Sequence, residues 1–135
     1  MKGQFVQTGP NKGSAATILV VDDDALITLN MVDHLTELGH IVLEAYSGRD
    51  ALTLLENHPE IAALITDYSM PMMNGVELAE QACRLRPGLP VLLSTGYAEL
   101  PQGIANTLPR IEKPFREEEL AEKVGALLSM VAPAE

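Results

Sequence analysis

The sequence is poor in cysteine and in positive charge. Its one cysteine, Cys83, excludes an internal disulfide, which fits a reducing compartment and predicts a cytoplasmic protein. Nine lysines and arginines stand against nineteen aspartates and glutamates, so that the formal net charge is −10. Because nucleic acids and anionic membranes attract basic surfaces, this balance disfavours both as direct partners.

Long apolar runs and aromatic side chains are also scarce. No stretch approaches the roughly 20 apolar residues that a membrane-spanning helix needs. Residues 1–15 lack the continuous apolar segment of a signal peptide and are predicted to be a flexible leader. With no tryptophan and only three tyrosines and two phenylalanines, the core is expected to be aliphatic.

Short β-branched runs alternate with amphipathic segments over residues 16–131, which we interpret as one domain followed by a frayed tail at 132–135. Strands are predicted at 17–22, 40–45, 61–66, 90–95 and 109–112. Helices are predicted at 25–38, 47–57, 76–85 and 116–130, with Asp24 and Ser47 at helix starts and Gly39 at a helix end. A further helix at 99–106 contains Pro101 and Gly103 and is expected to be short or irregular. This alternation predicts a parallel sheet with helices on both faces.

Chemically active side chains lie at the carboxyl ends of the predicted strands. They are Asp22 and Asp23 at the end of the first strand, Asp67 at the end of the third, Ser94 and Thr95 at the end of the fourth, and Lys113 at the end of the fifth. Because the carboxyl ends of parallel strands share one edge of a sheet, we expect these groups to converge. Three neighbouring carboxylates repel one another, and a hard divalent cation relieves that repulsion. Few protein ligands, together with waters and a phosphate oxygen, suit Mg²⁺ better than Ca²⁺.

This constellation predicts phosphoryl chemistry. The cation and Lys113 would together neutralise an arriving phosphoryl group. Asp67 would act as the nucleophile and form an aspartyl phosphate. Thr95 would donate a hydrogen bond to a phosphate oxygen. Met70, Met72 and Met73, which follow Asp67, are expected to fill gaps under the loop.

Four segments carry a resemblance to a known family: VVDDD, LITDYSMPMMNG, VLLSTG and EKPF. In this order and on these elements they resemble the receiver domain of bacterial two-component response regulators, over roughly residues 16–130. The resemblance implies a flavodoxin-like, doubly wound α/β fold, with five parallel strands in the order 2-1-3-4-5 and five helices. It also implies phosphotransfer from a sensor histidine kinase or a histidine phosphotransfer protein. The output would be a protein contact, or the domain would serve as a phosphorelay or phosphate sink.

The resemblance implies roles for the acidic residues. Asp67 would be the phosphoacceptor. Asp23, Asp67 and the backbone carbonyl of Ser69 would bind Mg²⁺ directly, and Asp22 would act largely through water. No other catalysis is implied, so we expect self-phosphorylation and self-dephosphorylation but no enzyme turnover on other substrates.

The resemblance also implies which residues take part in the conformational switch of a receiver domain. Thr95 would be the switch hydroxyl, and Lys113 would pair with the phosphoryl group, directed by a cis peptide bond before Pro114. Receivers usually carry an aromatic switch residue three positions before this lysine, where this chain has Arg110. Tyr97 is a candidate replacement, and Thr95-Gly96-Tyr97 resembles a receiver subclass with a poorly formed fourth helix.

Two alternative functions share part of this pattern. Asp22 and Asp24, with a later lysine, also resemble haloacid dehalogenase-type phosphatases, in which Asp22 would be the nucleophile. That interpretation gives Asp67 no role. In addition, this chain has Leu26 at the position where such a phosphatase is expected to have a threonine. The other alternative is the receiver module of a hybrid kinase, although a stand-alone regulator is the preferred interpretation.

Overall fold

The computed structural model describes residues 15–96 and 108–130. Five strands and four helices lie in these ranges. The strands are β1 (Thr17–Val21), β2 (Ile41–Ala45), β3 (Ile61–Asp67), β4 (Val91–Thr95) and β5 (Arg110–Glu112). The helices are α1 (Ala25–Glu37), α2 (Gly48–Asn57), α3 (Gly75–Leu85) and α4 (Glu117–Ser129). Their ends agree with the predicted ends to within one residue.

All strand pairs are parallel, and the sheet has the order β2-β1-β3-β4-β5. The predicted flavodoxin-like architecture is therefore confirmed. The predicted helix at 99–106, the tail at 132–135 and most of the leader lie outside the described residues. None of the helices within residues 15–96 and 108–130 has the length and apolarity needed to cross a bilayer.

Each face of the sheet carries its own apolar core. On one face, buried residues of α2 and α3 such as Leu55 and Leu78 pack with Leu64 of β3. On the other face, residues of α1 and α4 such as Leu35 and Leu120 form the core with β-strand side chains. Helices on both faces bury the central strands β1, β3 and β4, which explains why these strands are mostly apolar rather than alternating, whereas the edge strand β2 exposes Ile41 and Glu44.

The helix starts follow the local sequence. Asp24 caps α1 by accepting hydrogen bonds from the backbone N–H groups of Leu26 and Ile27. Ser47 caps α2, and Asn74 and Glu77 form a reciprocal capping box at α3. Gly39 follows the end of α1 with φ of +99°. The predicted roles of Asp24, Ser47 and Gly39 are confirmed.

Helix α1 departs from a simple apolar pattern. Leu26 and Leu29 are 67% and 53% exposed, whereas Met31, Leu35 and the polar Thr28 are buried. At 3.6 residues per turn, Thr28, Met31 and Leu35 share one stripe that faces the sheet, and Leu26 and Leu29 lie off it. A count of apolar residues therefore overestimates the buried face of this helix.

Candidate functional site

The carboxyl ends of β1 and β3 bring three carboxylates together. Asp22, Asp23 and Asp67 each offer an oxygen, and these oxygens lie within 4.8 Å of one another. Asp22 and Asp67 are only 4% exposed, while Asp23 is exposed to solvent. The predicted convergence of the three acids is therefore observed.

Lys113 reaches the same cluster from the loop after β5. Its Nζ lies 2.8 Å from Oδ1 of Asp67 and 3.5 Å from Oδ2 of Asp22. Its backbone N–H donates to the carbonyl of Thr95, which fixes the start of this loop against β4. The peptide bond between Lys113 and Pro114 is cis, as the resemblance implied.

Burial and charge act in opposite directions on these groups. Burial raises the pKa of Asp22 above its ordinary value, because the hydrogen bond from the Asp24 N–H and the nearby Lys113 offset the loss of water only partly. For Lys113 burial alone would lower the pKa. The bond to Asp67 and the charges of Asp67 and Asp22 together outweigh it and raise the pKa of Lys113.

The cluster suits a hard divalent cation. One ammonium faces three carboxylates, so negative charge remains that a cation would neutralise. Carboxylate oxygens are the donors that Mg²⁺ and Ca²⁺ prefer. The structure therefore contains an acidic cluster that fits a metal ion.

Thr28 supports this edge and was missed by sequence reasoning. Its Oγ1 donates to the backbone carbonyls of Asp22 (3.2 Å) and Asp24 (3.1 Å), and the side chain is fully buried. Thr28 lies four residues after the helix cap Asp24, and a hydroxyl at this spacing can donate to the backbone carbonyl of the cap. This spacing is visible in the sequence and could have identified Thr28.

The end of β4 supplies two buried hydroxyl residues. Ser94 is 2% and Thr95 is 3% exposed. The Ser94 carbonyl accepts a hydrogen bond of 2.8 Å from the N–H of Tyr68, which ties the loop after Asp67 to β4. Gly96 follows at intermediate exposure, and Tyr97 lies outside the described residues. The predicted switch and gating roles of these residues stay predictions.

The three methionines in the loop after β3 differ in their burial. Met70 is buried at 8% exposure and Met73 packs against the same core, as predicted. Met72 is fully exposed, with φ of +73°, so the prediction that it fills a gap was wrong. The left-handed backbone at this position turns its side chain away from the core. Ser69 of the same loop is exposed, and the metal role of its backbone carbonyl stays a prediction.

Arg110 begins β5 and is half-buried, in register with Leu93 of β4. The short β5 strand thus carries no aromatic side chain at this position. Its proposed part in switching remains a prediction.

Comparisons with known proteins agree with this geometry. The family model of the response regulator receiver domain matches residues 18–125. The chain is 38% identical to the chemotaxis protein CheY homolog of Campylobacter jejuni, covering 82% of this chain and 91% of that protein. It is 30% identical to the transcriptional regulatory protein GlrR of Escherichia coli, covering 88% of this chain but only 28% of that longer protein.

A solved structure shares the fold. The CheY-like receiver domain of Methanospirillum hungatei superposes with a TM-score of 0.77 at 33% identity, covering 85% of this chain and 94% of that chain. The strand order, the acidic cluster with its lysine and the family match all indicate the same family. The chain belongs to the response regulator receiver domain family.

Proposed function

We propose that this receiver domain takes a phosphoryl group onto Asp67 from the phosphohistidine of a histidine kinase or histidine phosphotransfer protein. The observation that carries the proposal is the buried Asp67 carboxylate, 2.8 Å from the Lys113 ammonium and beside two further acids. A carboxylate oxygen of Asp67 would attack phosphorus. The P–O bond forms as the P–N bond to the donor histidine breaks, and the imidazole leaves with the electron pair and takes up a proton.

The direct metal ligands in this proposal are Asp23, Asp67 and the backbone carbonyl of Ser69, and Asp22 would act largely through water. The three carboxylates support it because their oxygens lie close enough to share one ion. When bound, Mg²⁺ would lower the charge repulsion between Asp67 and the incoming phosphoryl oxygens. Mg²⁺ is preferred to Ca²⁺ because few protein ligands leave room for waters and a phosphate oxygen.

Lys113 and Thr95 would receive the new group. Lys113 is held beside Asp67 by an ion pair, so its ammonium can pass to a phosphoryl oxygen with a small movement. Thr95 ends β4 at the same edge of the sheet, and its hydroxyl would donate to another phosphoryl oxygen. Asp22 and Asp23 form no covalent bond with the phosphoryl group in this proposal.

The proposed output is a contact with another protein, or a place in a phosphorelay. The chemotaxis homolog, 91% of whose length is matched, shows that such a receiver occurs as a protein of this length, and the longer transcriptional regulator shows that related receivers also occur within larger proteins. A cytoplasmic location is part of the proposal. We further propose that the domain does not turn over external substrates. In this proposal the acidic cluster serves only the phosphorylation of Asp67 in the domain itself.

The test is phosphorylation with a small donor. Wild type, Asp67→Asn and the surface control Asp33→Asn would be incubated with Mg²⁺ and acetyl phosphate, and their intact masses measured. We expect one added phosphoryl group on the wild type and on Asp33→Asn, and none on Asp67→Asn. An unlabelled wild type, or equal labelling of Asp67→Asn, would contradict the proposal.

The phosphatase alternative predicts a different result. It requires steady hydrolysis of added phosphate esters that depends on Asp22 and survives Asp67→Asn. Such turnover would replace the receiver mechanism with an enzyme mechanism.

A further inference from the structure

Asp23 differs from the other two acids of the cluster in how it is held. Lys113 pairs with Asp22 at 3.5 Å and with Asp67 at 2.8 Å. Asp23 is exposed, and its carboxylate makes no hydrogen bond or ion pair within residues 15–96 and 108–130. The place of Asp23 in the cluster therefore depends on the backbone turn that carries it.

That turn leads from the end of β1 into α1. The Asp22 N–H donates to the carbonyl of Ala45 at 3.2 Å, which fixes the start of the turn against β2. Oδ1 of Asp22 accepts the N–H of Asp24 at 2.9 Å, as in an Asx turn. The two residues on either side of Asp23 are thus bonded to each other across it.

The hydroxyl of Thr28 bonds to the same two residues. Its Oγ1 lies 3.2 Å from the carbonyl oxygen of Asp22 and 3.1 Å from that of Asp24. A hydroxyl has one hydrogen, which the two carbonyls share, and both distances are long for an O–H···O bond, as sharing requires. Thr28 is fully buried, so water does not compete for this hydrogen.

Only one of these two contacts is ordinary for a helix. Helical threonines often bond back four residues, and Thr53 of α2 does so to the carbonyl of Arg49 at 3.2 Å. The contact of Thr28 with Asp22 spans six residues and leaves the helix for the end of β1. It ties α1 to the strand end that begins the acidic turn, which helix formation by itself does not require.

We propose that Thr28 is a positioning residue for the bound Mg²⁺. Its hydroxyl holds the Asp22–Asp24 turn in the conformation that presents Asp23 to the cation. A ligand that is already in place loses less conformational freedom when the ion binds, so the affinity for the ion is higher. This inference rests on the proposed function, in which Asp23 is a direct ligand of Mg²⁺.

The test uses two substitutions that remove different parts of the side chain. Thr28→Val replaces the hydroxyl with a methyl group of similar volume, and Thr28→Ser keeps the hydroxyl but removes the methyl group. Thr53→Val is the matched control, because it removes a helical hydroxyl bond far along the chain from the acidic turn. Dissociation constants for Mg²⁺ are measured on the unphosphorylated proteins from the shifts of backbone amide NMR signals.

We expect Thr28→Val to raise the dissociation constant about fivefold, which is the effect of losing one neutral hydrogen bond. Thr28→Ser and Thr53→Val should stay within about twofold of wild type. Thr28→Ala gives a second comparison. It differs from Thr28→Ser only in the hydroxyl, so the ratio of their dissociation constants reports the same bond even where Thr28→Val does not fold.

Thermal unfolding in chelator separates positioning from a merely structural role. Thr28→Ser and Thr28→Val should both unfold at a lower temperature than wild type, because one loses buried packing and the other a buried hydrogen bond. If Mg²⁺ affinity followed stability alone, both would bind Mg²⁺ more weakly. Positioning predicts weaker binding for Thr28→Val only.

The rate of labelling by acetyl phosphate gives a further check. In Thr28→Val the half-saturating Mg²⁺ concentration should rise about fivefold, while the maximal rate at saturating Mg²⁺ stays within about twofold of wild type. A fall in the maximal rate alone would place Thr28 in the phosphoryl step and not in metal binding.

Three outcomes would overturn the inference: a Mg²⁺ dissociation constant for Thr28→Val within about twofold of wild type, equal weakening in Thr28→Ser, or equal weakening in Thr53→Val. Failure of the proposed function gives different results. A wild type that binds no Mg²⁺ rejects the metal site itself, and a wild type that binds Mg²⁺ but accepts no phosphoryl group rejects the role of Asp67.

Discussion

Asp22 and Asp67 are both almost fully buried, and Lys113 contacts the two together. Burial of charge is costly, and a single cation compensates two anions only partly. The raised pKa of Asp22, which follows first from burial, is one sign of that imbalance. The cluster thus keeps uncompensated negative charge in the resting fold, as a site that fits a cation would.

His40 provides a pH-dependent contribution to stability away from this cluster. It is 7% exposed, its Nδ1 accepts a hydrogen bond from the Ala16 N–H, and burial lowers its pKa in the folded protein. The unfolded chain then binds a proton more readily than the folded one. Stability is therefore full above the unfolded pKa of about 6.5 and is lost as the pH falls below it.

We predict that this pH dependence is smaller in His40→Asn. Asparagine Oδ1 can accept the same N–H but does not titrate. Free energies of unfolding from urea titrations between about pH 8 and pH 5 would be compared for both proteins. All other titratable groups are the same in the two proteins and cancel in the difference. Identical pH profiles would contradict the assignment to His40.

Met72 stores backbone strain at the rim of the site. Its φ of +73° is disfavoured for any residue with a Cβ, and its fully exposed side chain gains no packing in return. We predict that Met72→Gly raises the free energy of unfolding by about 0.5–1 kcal/mol, after allowance for the greater freedom of glycine in the unfolded chain.

The matched control for this change is Met72→Ala. Alanine removes the same long side chain but keeps the Cβ, so urea unfolding should give a value close to wild type. Equal stabilisation by alanine and glycine would attribute the effect to the side chain and not to the backbone.

At the scale of elements, the site depends on how closely α3 begins against β3 and β4. A Cβ on Gly75 would overlap the carbonyl oxygen of Asp67 and lie 2.8 Å from Cδ1 of Leu93. The Gly75 N–H also donates to the carbonyl of Tyr68, which closes the loop after Asp67. The absence of a side chain at Gly75 therefore sets the position of Asp67.

We predict that Gly75→Ala lowers the free energy of unfolding by about 1–3 kcal/mol, as overpacking of a tight contact does. It should also slow labelling by acetyl phosphate, since the Asp67 backbone must move. Gly125→Ala is the matched control. Gly125 lies within α4 with nothing within 4 Å of an added Cβ, so alanine should stabilise by about 0.5–1 kcal/mol and leave labelling unchanged. Equal effects at both positions would refute the close-approach argument.

At the scale of the whole molecule, the formal net charge of −10 adds to the local crowding of three carboxylates. A cation that binds only the folded state stabilises it by mass action. We predict that Mg²⁺ at ten times its dissociation constant raises the free energy of unfolding by about 1.4 kcal/mol. Urea unfolding in Mg²⁺ and in chelator, at matched ionic strength, measures this gain.

Asp23→Asn separates metal binding from general charge effects. Without metal it should be more stable than wild type, because Asp23 adds negative charge beside the buried Asp22. Its gain from the same Mg²⁺ concentration should be smaller. Asp33→Asn, which removes an exposed charge on α1 outside the acidic cluster, should keep the full gain. A full gain in Asp23→Asn would remove Asp23 from the metal site.

The sequence by itself determined the order of strands and helices and the residues of the acidic cluster. Apolar periodicity and caps such as Asp24 and Ser47 are local signals, so element ends were predicted to within one residue. Asp22, Asp23, Asp67 and Lys113 were predicted to converge because parallel strands share one edge. The family resemblance then supplied the strand order, which local signals do not contain.

Only the tertiary structure decided which side chains are buried and which backbone positions are strained. Leu26 and Leu29 are exposed because the sheet covers a single stripe of α1, and Met72 turns outward because its backbone is left-handed. Each of these facts arises from contacts between segments distant in the chain, and hydrophobicity along the sequence carries no record of them.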